Sequence, residues 1–367
     1  MIRRPPRSTQ GVSSAASDVY KRQAKDKLVK HGCNNRNASA VANTITDAEL
    51  NGCPAHGLFR LPGFVSSLKS GKANGKSNPK INQIAPVVYR IEGESGFSSL
   101  ALNVSFNPLI RCAKKNGMAA AAIVDILHFS ALWHEVEHLA QKGLVGFACT
   151  VSKPVVAPSG AKSPFFGTNP MAFSWPRKNE MPVVFDQASA AMARGEIMIA
   201  AREGHKLPQG VGIDKFGKSS NDPGKILDGC QLPFGGYKGS SIAMMIELLS
   251  SGLIGEDFSY ERGKNDNNDG GPTRGGELLI AINPNLFGNK NNWQNHSESF
   301  FNELLKLKGT RLPGDRRIKN KDISKICNNQ KRTDTACIIY TSGTGGYPKG
   351  VMLSHGAMLH NCLLYTS

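Results

Sequence analysis

The stretch "IAPVVYRIEGESGFSSLALNVSFNPLIRCAKKNGMAAAAIVDIL", residues 84–127, decides the fold. Its two apolar segments, residues 84–91 and 118–126, have the length and composition of buried strands. Residues 106–117 lie between them and end at Gly117, and glycine commonly ends helices because it accepts a left-handed backbone. The stretch therefore predicts a strand, a helix and a strand, the unit from which layered α/β domains are built.

The segments on either side continue this alternation. Helices are predicted in "EVEHLAQKG" and in the glycine-opened stretch "GGYKGSSIAMMIELLSSGLIG", and strands in "LVGFACTVS", "MPVVFDQAS" and "ELLIAINPNLF". Upstream, "AKDKLVKHG" and "NASAVANTITDAELNG" carry apolar residues at helical spacing, and each ends at glycine. The chain is therefore predicted to form an α/β domain preceded by a smaller helical unit.

Composition and charge restrict the classes of partner. The formal net charge is +17, yet the basic residues form no stripe interleaved with aromatic residues, so nucleic acid is not an expected partner. A basic surface suits a small anionic substrate or a phosphorylated cofactor. The eight cysteines include no C-x-x-C pair, which favours a reducing, cytoplasmic location. Every apolar stretch is too short to span a bilayer, so no membrane partner is expected.

The segment "CPAHGLFRLPGF", residues 53–64, places a histidine and an arginine four residues apart. On a single helical turn, His56 and Arg60 would point to one side. Imidazole exchanges a proton near neutral pH, and a guanidinium binds a carboxylate through two parallel hydrogen bonds. The pair therefore suits an acid whose neighbouring carbon is reduced or oxidised, although a surface cap of a turn would use the same residue types.

A second motif, "HEVEH", matches the helical zinc pattern H-E-x-x-H through His134, Glu135 and His138. A zinc hydrolase also needs a third ligand downstream, where Glu180 stands alone, and the extended motif requires glycine at the position of Gln141. We therefore expect no metal site and interpret the motif as a solvated helix face.

Other polar residues stand at predicted turns and strand ends. Thr168 and Asn169 lie in a turn within "FFGTNPMAFSWP", and Asp186 ends a predicted strand ten residues before Glu196. Such turns can offer donors to a ligand, but turn chemistry alone also explains them. The loops "PFGGYKG" and "TRLPGDRR" join glycine to basic residues, as phosphate-binding loops and ordinary loops both do. The sequence lacks a G-x-G-x-x-G after a strand, so a Rossmann dinucleotide site is not expected.

Six segments, taken together and in order, resemble the malate/L-lactate dehydrogenase family, whose members lack a Rossmann fold. They are "HGLFRLPGF", "HFSALWHEVE", "FGTNPMAFSWP", "FDQASAAMARGEI", "PFGGYKGSSIAMMIELL" and "RLPGDRR". Within this family the chain most resembles the Δ1-piperideine-2-carboxylate/Δ1-pyrroline-2-carboxylate reductases, over residues 24–317. The resemblance implies an α/β fold with a non-Rossmann, mixed-sheet NAD(P)-binding domain, a smaller helical domain and a homodimer.

The resemblance also assigns roles to individual residues. It implies that His56 is the proton donor, with Glu196 in the place of its charge-relay partner and Asp186 as a further catalytic residue. It implies that Arg60 and Thr168 hold the substrate. The implied cofactor-binding residues are His128, Phe129, Ser130, Ala131, Leu132, Asp186, Gln187, Ala188, Lys238, Thr310, Arg311, Leu312, Pro313, Gly314, Asp315 and Arg316.

Two positions depart from the pattern of the reductases that the chain resembles. A serine precedes the histidine in those reductases and an aspartate completes the charge relay, whereas Ala55 and Glu196 occupy these places here. A glutamate can still orient an imidazole, but Ala55 has no hydroxyl to offer.

The implied activity is reduction of cyclic imino acids, from Δ1-pyrroline-2-carboxylate or Δ1-piperideine-2-carboxylate to proline or pipecolate, with NADPH, or alternatively NADH, as the hydride source. A malate/L-lactate-type 2-hydroxyacid dehydrogenase is the alternative within the family, because a carboxylate clamp and a proton donor serve a ketone equally well. A zinc hydrolase through "HEVEH" and an adenylating enzyme through "YTSGTGGYPKG" are alternatives from other classes.

The carboxyl-terminal segment "IIYTSGTGGYPKGVMLSHG" resembles the phosphate loop of adenylate-forming acyl-CoA synthetases, and we interpret it as a fused fragment without ATP chemistry. Residues 1–23 and the terminal "LLYTS" resemble translated sequencing adapter. The predicted divisions are a disordered segment at residues 1–23, a helical domain at 24–80, an α/β NADP-binding and catalytic domain at 81–290, a helical segment completing the reductase at 291–317, and a linker with the synthetase-like fragment at 318–367.

Overall fold

The computed structural model describes residues 14–288 and 292–315, together with the backbone of two further strands at 335–341 and 349–354. The first ten strands are β1 (Lys80–Ala85), β2 (Val88–Phe97), β3 (Met118–Leu127), β4 (Val145–Thr150), β5 (Pro170–Trp175), β6 (Val183–Ala188), β7 (Gly212–Ile213), β8 (Ser219–Ser220), β9 (Cys230–Gln231) and β10 (Arg274–Ile282). The helices are α1 (Ser14–Lys30), α2 (Asn35–Leu50), α3 (Leu61–Lys69), α4 (Ser98–Asn116), α5 (Trp133–Gln141), α6 (Arg194–Glu203), α7 (Pro223–Asp228), α8 (Tyr237–Glu247), α9 (Ser259–Asn265) and α10 (Trp293–Lys306).

A seven-stranded mixed sheet with the order β1-β2-β3-β10-β4-β5-β6 forms the centre of the fold. Strands β2 and β3 are parallel, and α4 connects them. The other neighbours in this sheet pair antiparallel. The predicted α/β class with a mixed sheet is therefore confirmed.

The quoted stretch differs from its prediction at two places. Residues 84–91 are not one strand, because the chain reverses between β1 and β2, where Ala85 pairs with Val88. The helix begins at Ser98 rather than near Phe106, and ends where predicted, with Gly117 at φ 93°. The first turns of the helix bury Leu100, Ala101 and Leu102. Tertiary packing therefore stabilises helical turns before residue 106, where the sequence alone did not predict them.

The amino-terminal helices pack on one end of the sheet. Buried side chains of α1, α2 and α3 form a cluster with Phe97 and Leu127, which lie at the ends of β2 and β3. Helix α1 begins at Ser14 and so includes residues 14–23 of the segment that was expected to be disordered, while residues 1–13 lie outside the described residues. This part of the chain therefore covers the ends of the two parallel strands.

A small lobe is inserted between β6 and α8. It contains the three-stranded sheet β8-β7-β9 with α6 and α7. Helix α8 follows and continues into a π-helical turn, Leu248–Gly252. In the part of the chain that the structure describes, no helix is both long and apolar enough to cross a membrane.

The carboxyl-terminal segment contains the antiparallel strands β11 (Thr335–Thr341) and β12 (Lys349–Ser354). The first covers most of the segment "DTACIIY", residues 334–340, and the second covers "KGVMLS". The glycine-rich loop between them, residues 342–348, lies outside the described residues.

Candidate active site

His56 and Arg60 lie on a tight double turn between α2 and α3. Two single 3-10 turns, Pro54–His56 and Leu58–Arg60, are joined at Gly57. The carboxylate of Glu49 accepts a hydrogen bond from the Leu58 N–H at 2.8 Å. A Cβ atom at Gly57 would lie 2.5 Å from that carboxylate, so a larger residue here would require the Glu49 side chain to move. Burial raises the pKa of Glu49, and its hydrogen bond opposes this shift.

The imidazole of His56 contacts the segment that follows β3. Its Nδ1 lies 3.1 Å from the carbonyl oxygen of Phe129. Because a carbonyl only accepts, Nδ1 carries the proton and Nε2 is left as the acceptor. Burial, with the charges of Arg60 and His128, lowers the pKa of His56 to about 4, although the Phe129 carbonyl opposes the shift. The ring is therefore neutral at pH 7.

The guanidinium of Arg60 lies on the same aromatic residue. Its Nε donates to the carbonyl oxygen of Ala55 at 2.6 Å, and its Cζ lies 4.7 Å from the centre of the Phe129 ring. Burial lowers the pKa of Arg60 to about 10, which leaves it charged at pH 7. Among the described residues, no carboxylate forms an ion pair with Arg60. The site thus holds a largely buried cation whose remaining donors suit an anionic ligand.

The predicted cofactor segments meet along β6, the edge strand of the seven-stranded sheet. The Trp133 N–H, directly after the predicted segment His128–Leu132, donates to a carboxylate oxygen of Asp186 at 3.0 Å. The Val184 N–H donates to the carbonyl oxygen of Pro313 at 3.4 Å, which lays the segment Thr310–Asp315 beside β6. Residues more than 120 positions apart in the sequence are therefore brought to one end of the sheet.

A cavity of about 380 Å³ opens beside this junction. Its wall is made by the end of β6 and the start of the small lobe, and it is lined by Asp186, Gln187, Ala188, Ala190, Ala191, Met192, Ala193, Glu196 and Phe234. The carbonyl oxygen of Thr168 accepts from the N–H and hydroxyl of Ser189 at 2.9 and 3.0 Å, which places Thr168 next to this wall. The Phe234 N–H donates to the Ser189 carbonyl oxygen at 3.0 Å, and the exposed Lys238 follows in the first turn of α8.

Two of the predicted site residues, Glu196 and Arg316, are not connected to the others by contacts among the described residues. Glu196 is exposed on the cavity wall, and among the described residues it makes no hydrogen bond or ion pair with His56, whose Nδ1 faces Phe129 instead. The neighbouring Gly195 does contact the double turn, because a Cβ there would lie 2.9 Å from Ala55 and from Arg60. Arg316 lies outside the described residues.

The sequence reasoning missed a buried cluster behind the His128 segment. His128 Nε2 lies 3.1 Å from a carboxylate oxygen of Glu277 on β10, and donor atoms of His128, Glu135 and Glu277 lie within 4.8 Å of one another. Burial raises the pKa of Glu135 to about 8, with the charge of Glu277 adding to the shift. Burial likewise raises the pKa of Glu277 to about 8, with a contribution from Asp186. These three residue types could hold a divalent cation or share protons.

The residues of the H-E-x-x-H motif do not converge on one point, as the ligands of a zinc ion would. His134 Nε2 lies 3.4 Å from a carboxylate oxygen of Asp47, and His138 packs on the ring of Phe106 at 4.3 Å between ring centres. Only Glu135 of this motif belongs to the buried cluster. A signal for one member only was present in the sequence, since Glu277 directly precedes the apolar run "LLIAI" of β10.

Comparison with known proteins identifies the family of this chain. A model of the malate/L-lactate dehydrogenase family matches residues 16–325, and a model of AMP-binding enzymes matches residues 286–366. A Δ1-pyrroline-2-carboxylate reductase from Ancylobacter novellus is 42% identical over 305 residues, which is 82% of this chain and 89% of the relative. A Δ1-pyrroline-2-carboxylate/Δ1-piperideine-2-carboxylate reductase from Pseudomonas aeruginosa is 40% identical over 299 residues, 81% of this chain and 89% of the relative. The chain belongs to the malate/L-lactate dehydrogenase family, a family of oxidoreductases.

Solved structures give the same result. The Δ1-piperideine-2-carboxylate reductase from Pseudomonas syringae superposes with a TM-score of 0.81 at 38% identity, over 86% of this chain and 95% of that chain. The sulfolactate dehydrogenase from Methanocaldococcus jannaschii superposes with a TM-score of 0.75 at 31% identity, over 84% and 90% of the two chains. Relatives that are reductases and dehydrogenases imply a nicotinamide cofactor.

Proposed function

We propose that this chain is an NADPH-dependent reductase of cyclic imino acids, which converts Δ1-pyrroline-2-carboxylate and Δ1-piperideine-2-carboxylate to proline and pipecolate. The observation that carries the proposal is the shared contact of His56 and Arg60 with Phe129. A proton-handling imidazole and a guanidinium that forms no ion pair within the described part of the chain are thereby fixed side by side. The names of the relatives from Ancylobacter and Pseudomonas support the same substrate class.

Arg60 is the proposed carboxylate-binding residue. Both substrates carry a carboxylate directly on the reacting carbon, and a buried guanidinium that has no acidic partner among the described residues matches that group. Thr168 is proposed as a second contact, since its backbone is fixed beside the cavity through Ser189.

His56 is proposed to manage the proton on the substrate nitrogen. Its neutral ring leaves Nε2 as an acceptor. Burial is the main cause of the low pKa of His56 and the charge of Arg60 is the second, and a carboxylate bound at Arg60 would offset that charge. An imine nitrogen is basic and can enter already protonated, whereas a ketone oxygen cannot. A histidine that is neutral in the free enzyme therefore fits an imine better than a ketone.

A nicotinamide dinucleotide would be held by the segments around β6. The wall formed by Ala188, Ala190, Ala191 and Ala193 has small side chains that leave width for a planar ring, and Phe234 offers an apolar face. When bound, NADPH supplies the hydride. The exposed cations Lys238 and Arg311 favour the additional phosphate of NADPH over NADH.

The alternative is a 2-hydroxyacid dehydrogenase. The likeness to the sulfolactate dehydrogenase favours it, because a carboxylate clamp beside a proton-handling histidine also serves a 2-keto acid.

We also propose a cytoplasmic homodimer. Tyr237, Met244 and Leu248 are exposed along one face of α8 and the turn that follows, as expected for a surface covered by a second copy. The five cysteines of the described residues are all free thiols, which fits a reducing compartment. Light scattering of the purified protein would distinguish a dimer from a monomer.

The test of the proposed function is a comparison of substrates. Loss of NADPH absorbance would be followed with Δ1-pyrroline-2-carboxylate and with pyruvate, using His56→Ala as the inactive control. Faster turnover of the imine, abolished in the variant, is the expected result. Turnover of pyruvate alone would replace the proposal with the dehydrogenase alternative.

A further inference from the structure

The turn that carries Thr168 contains a residue in a strained conformation. Asn169 has φ 41°, in the left-handed region, although Pro170 follows it. A residue before proline favours an extended backbone, so this conformation needs support from its surroundings. The side chain of Asn169 is completely buried, and its contacts supply that support.

Three hydrogen bonds hold the Asn169 side chain. Its Nδ2 donates to a carboxylate oxygen of Glu247 at 2.8 Å and to the carbonyl oxygen of Ala243 at 3.1 Å. Its Oδ1 accepts from the hydroxyl of Ser259 at 3.4 Å. The turn is therefore fixed by the end of α8 on one side and by the start of α9 on the other.

Glu247 bridges these two helices. One carboxylate oxygen accepts from Asn169, and the other accepts from the Ser259 N–H at 2.9 Å. The side chain lies within an otherwise apolar helical stretch and is only 5% exposed. A buried carboxylate costs free energy unless hydrogen bonds satisfy it, and both oxygens of Glu247 are satisfied by the turn and by α9.

The consequence for Thr168 is a fixed backbone and an available side chain. Its carbonyl oxygen accepts two hydrogen bonds from Ser189. Within residues 14–288 and 292–315, its hydroxyl makes no hydrogen bond, and the residue is half-buried beside the cavity. The hydroxyl can therefore bind a ligand in a position that Asn169 determines.

We propose that Glu247 is a positioning residue for substrate binding, which acts through Asn169 on Thr168. This inference rests on the proposed function, because it takes Thr168 as a substrate-binding residue. Helix α8 then joins the two halves of the site, with Lys238 at its cofactor end and Glu247 at its substrate end.

A double-mutant cycle tests this coupling. Glu247→Gln, Thr168→Val and the double variant would be compared in KM for Δ1-pyrroline-2-carboxylate, in kcat and in affinity for NADPH. The glutamine is isosteric and can still accept from Asn169, but its NH₂ group then faces the Ser259 N–H. We expect Glu247→Gln to raise KM about tenfold, the equivalent of ~1.4 kcal/mol, with NADPH affinity unchanged. In the Thr168→Val background the same change should have no further effect.

A multiplicative effect of the two substitutions on KM would overturn the proposal. The proposal would also be overturned if Glu247→Gln lowered Tm but left KM unchanged, because Glu247 would then have a purely structural role. Glu203→Gln, at an exposed carboxylate on α6, is the matched control and should change neither.

A second pair of variants protects the test against misfolding. Glycine accepts the left-handed backbone without a side chain, so Asn169→Gly removes the hydrogen bonds but not the conformation, whereas Asn169→Ala removes both. Both should raise KM, and an unchanged KM in Asn169→Gly would also contradict the proposal. Wild-type enzyme that turns over neither imino acid nor keto acid would reject the proposed function itself, while normal wild-type turnover with a multiplicative cycle would reject the role of Glu247 alone.

Discussion

The Nδ1 atom of His56 lies 3.1 Å from the carbonyl oxygen of Phe129, although the two residues are 73 positions apart. The same Phe129 presents its ring to the guanidinium of Arg60. Phe129, two residues after the end of β3, therefore sets both the tautomer of His56 and the position of Arg60. Its backbone performs the first task and its side chain the second.

The low pKa of His56 predicts a loss of stability in mild acid. The unfolded chain binds a proton at this ring below pH 6.5, whereas the folded chain resists until about pH 4. Stability from this group is therefore complete above pH 6.5 and falls as the pH drops toward 4, by up to ~3 kcal/mol. Urea unfolding of wild type and His56→Gln at pH 7.5 and 5 would measure it. An equal loss in both proteins would contradict the prediction.

Removing the guanidinium should weaken substrate binding selectively. In Arg60→Met we expect KM for Δ1-pyrroline-2-carboxylate to rise about a hundredfold, because a charge-assisted bidentate pair contributes ~3 kcal/mol. Arg60→Lys should recover only part of this, since an ammonium cannot form the planar pair. Steady-state kinetics with Arg111→Met, an exposed position on α4, as control would test this. Equal KM values in Arg60→Met and wild type would exclude a carboxylate clamp.

The double turn should not tolerate a methyl group at its centre. In Gly57→Ala the new Cβ would meet the Glu49 carboxylate at 2.5 Å, so the Glu49 side chain must move away from the Leu58 N–H, which should loosen the turn that carries His56 and Arg60. We expect kcat/KM to fall at least about tenfold and Tm to fall by several degrees. Gly288→Ala is the control, because a Cβ there would meet no atom of the described residues within 4 Å. Wild-type kinetics in Gly57→Ala would show that the turn is not rigid.

The resemblance to the reductases implies a serine at the position of Ala55. Ala55→Ser adds a hydroxyl beside His56, and we expect kcat to rise. The site is tight, since Ala55 is buried and packs against Gly195, so Tm should be measured alongside kcat. An unchanged kcat with unchanged Tm would show that this chain moves its proton without the hydroxyl.

The buried carboxyl groups predict the opposite pH dependence from His56. Glu277 has a pKa of about 8 in the folded chain against 4.5 for an exposed carboxyl, so folding favours its protonated form. The associated stability is complete at pH 4.5 and falls as the pH rises toward 8. Glu277→Gln should therefore lose less stability than wild type between pH 5 and 8.

A bound cation would alter this result, and it can be measured separately. We expect purified wild type to contain no stoichiometric divalent metal and to keep its Tm in the presence of a chelator. One equivalent of metal in wild type, absent from Glu277→Gln, would contradict the prediction and assign the cluster to a cation.

Local sequence signals predicted helices and strands, whereas the part of the site that depends on long-range strand pairing was not predicted. Gly117 marked the end of α4, and the spacing of His56 and Arg60 marked the turn that holds them. The cluster of His128, Glu135 and Glu277 could not be found from spacing, because it forms only when β10 pairs with β3. The resemblance to a known family supplied what spacing could not, since the residues that it assigns include Asp186, Gln187 and Ala188, which line the cavity.

Strand β10 lies in the middle of the sheet, between β3 and β4, although it is the last of the seven to be synthesised. During synthesis on the ribosome, the edges of β3 and β4 that pair with β10 therefore stay unpaired until residues 274–282 have emerged. Unpaired edges of apolar strands are prone to associate with other chains, and pairing over such long separations is slow. Expression of this protein should therefore depend strongly on chaperones and on temperature, and chains that stop before Arg274 should aggregate rather than form a smaller stable sheet.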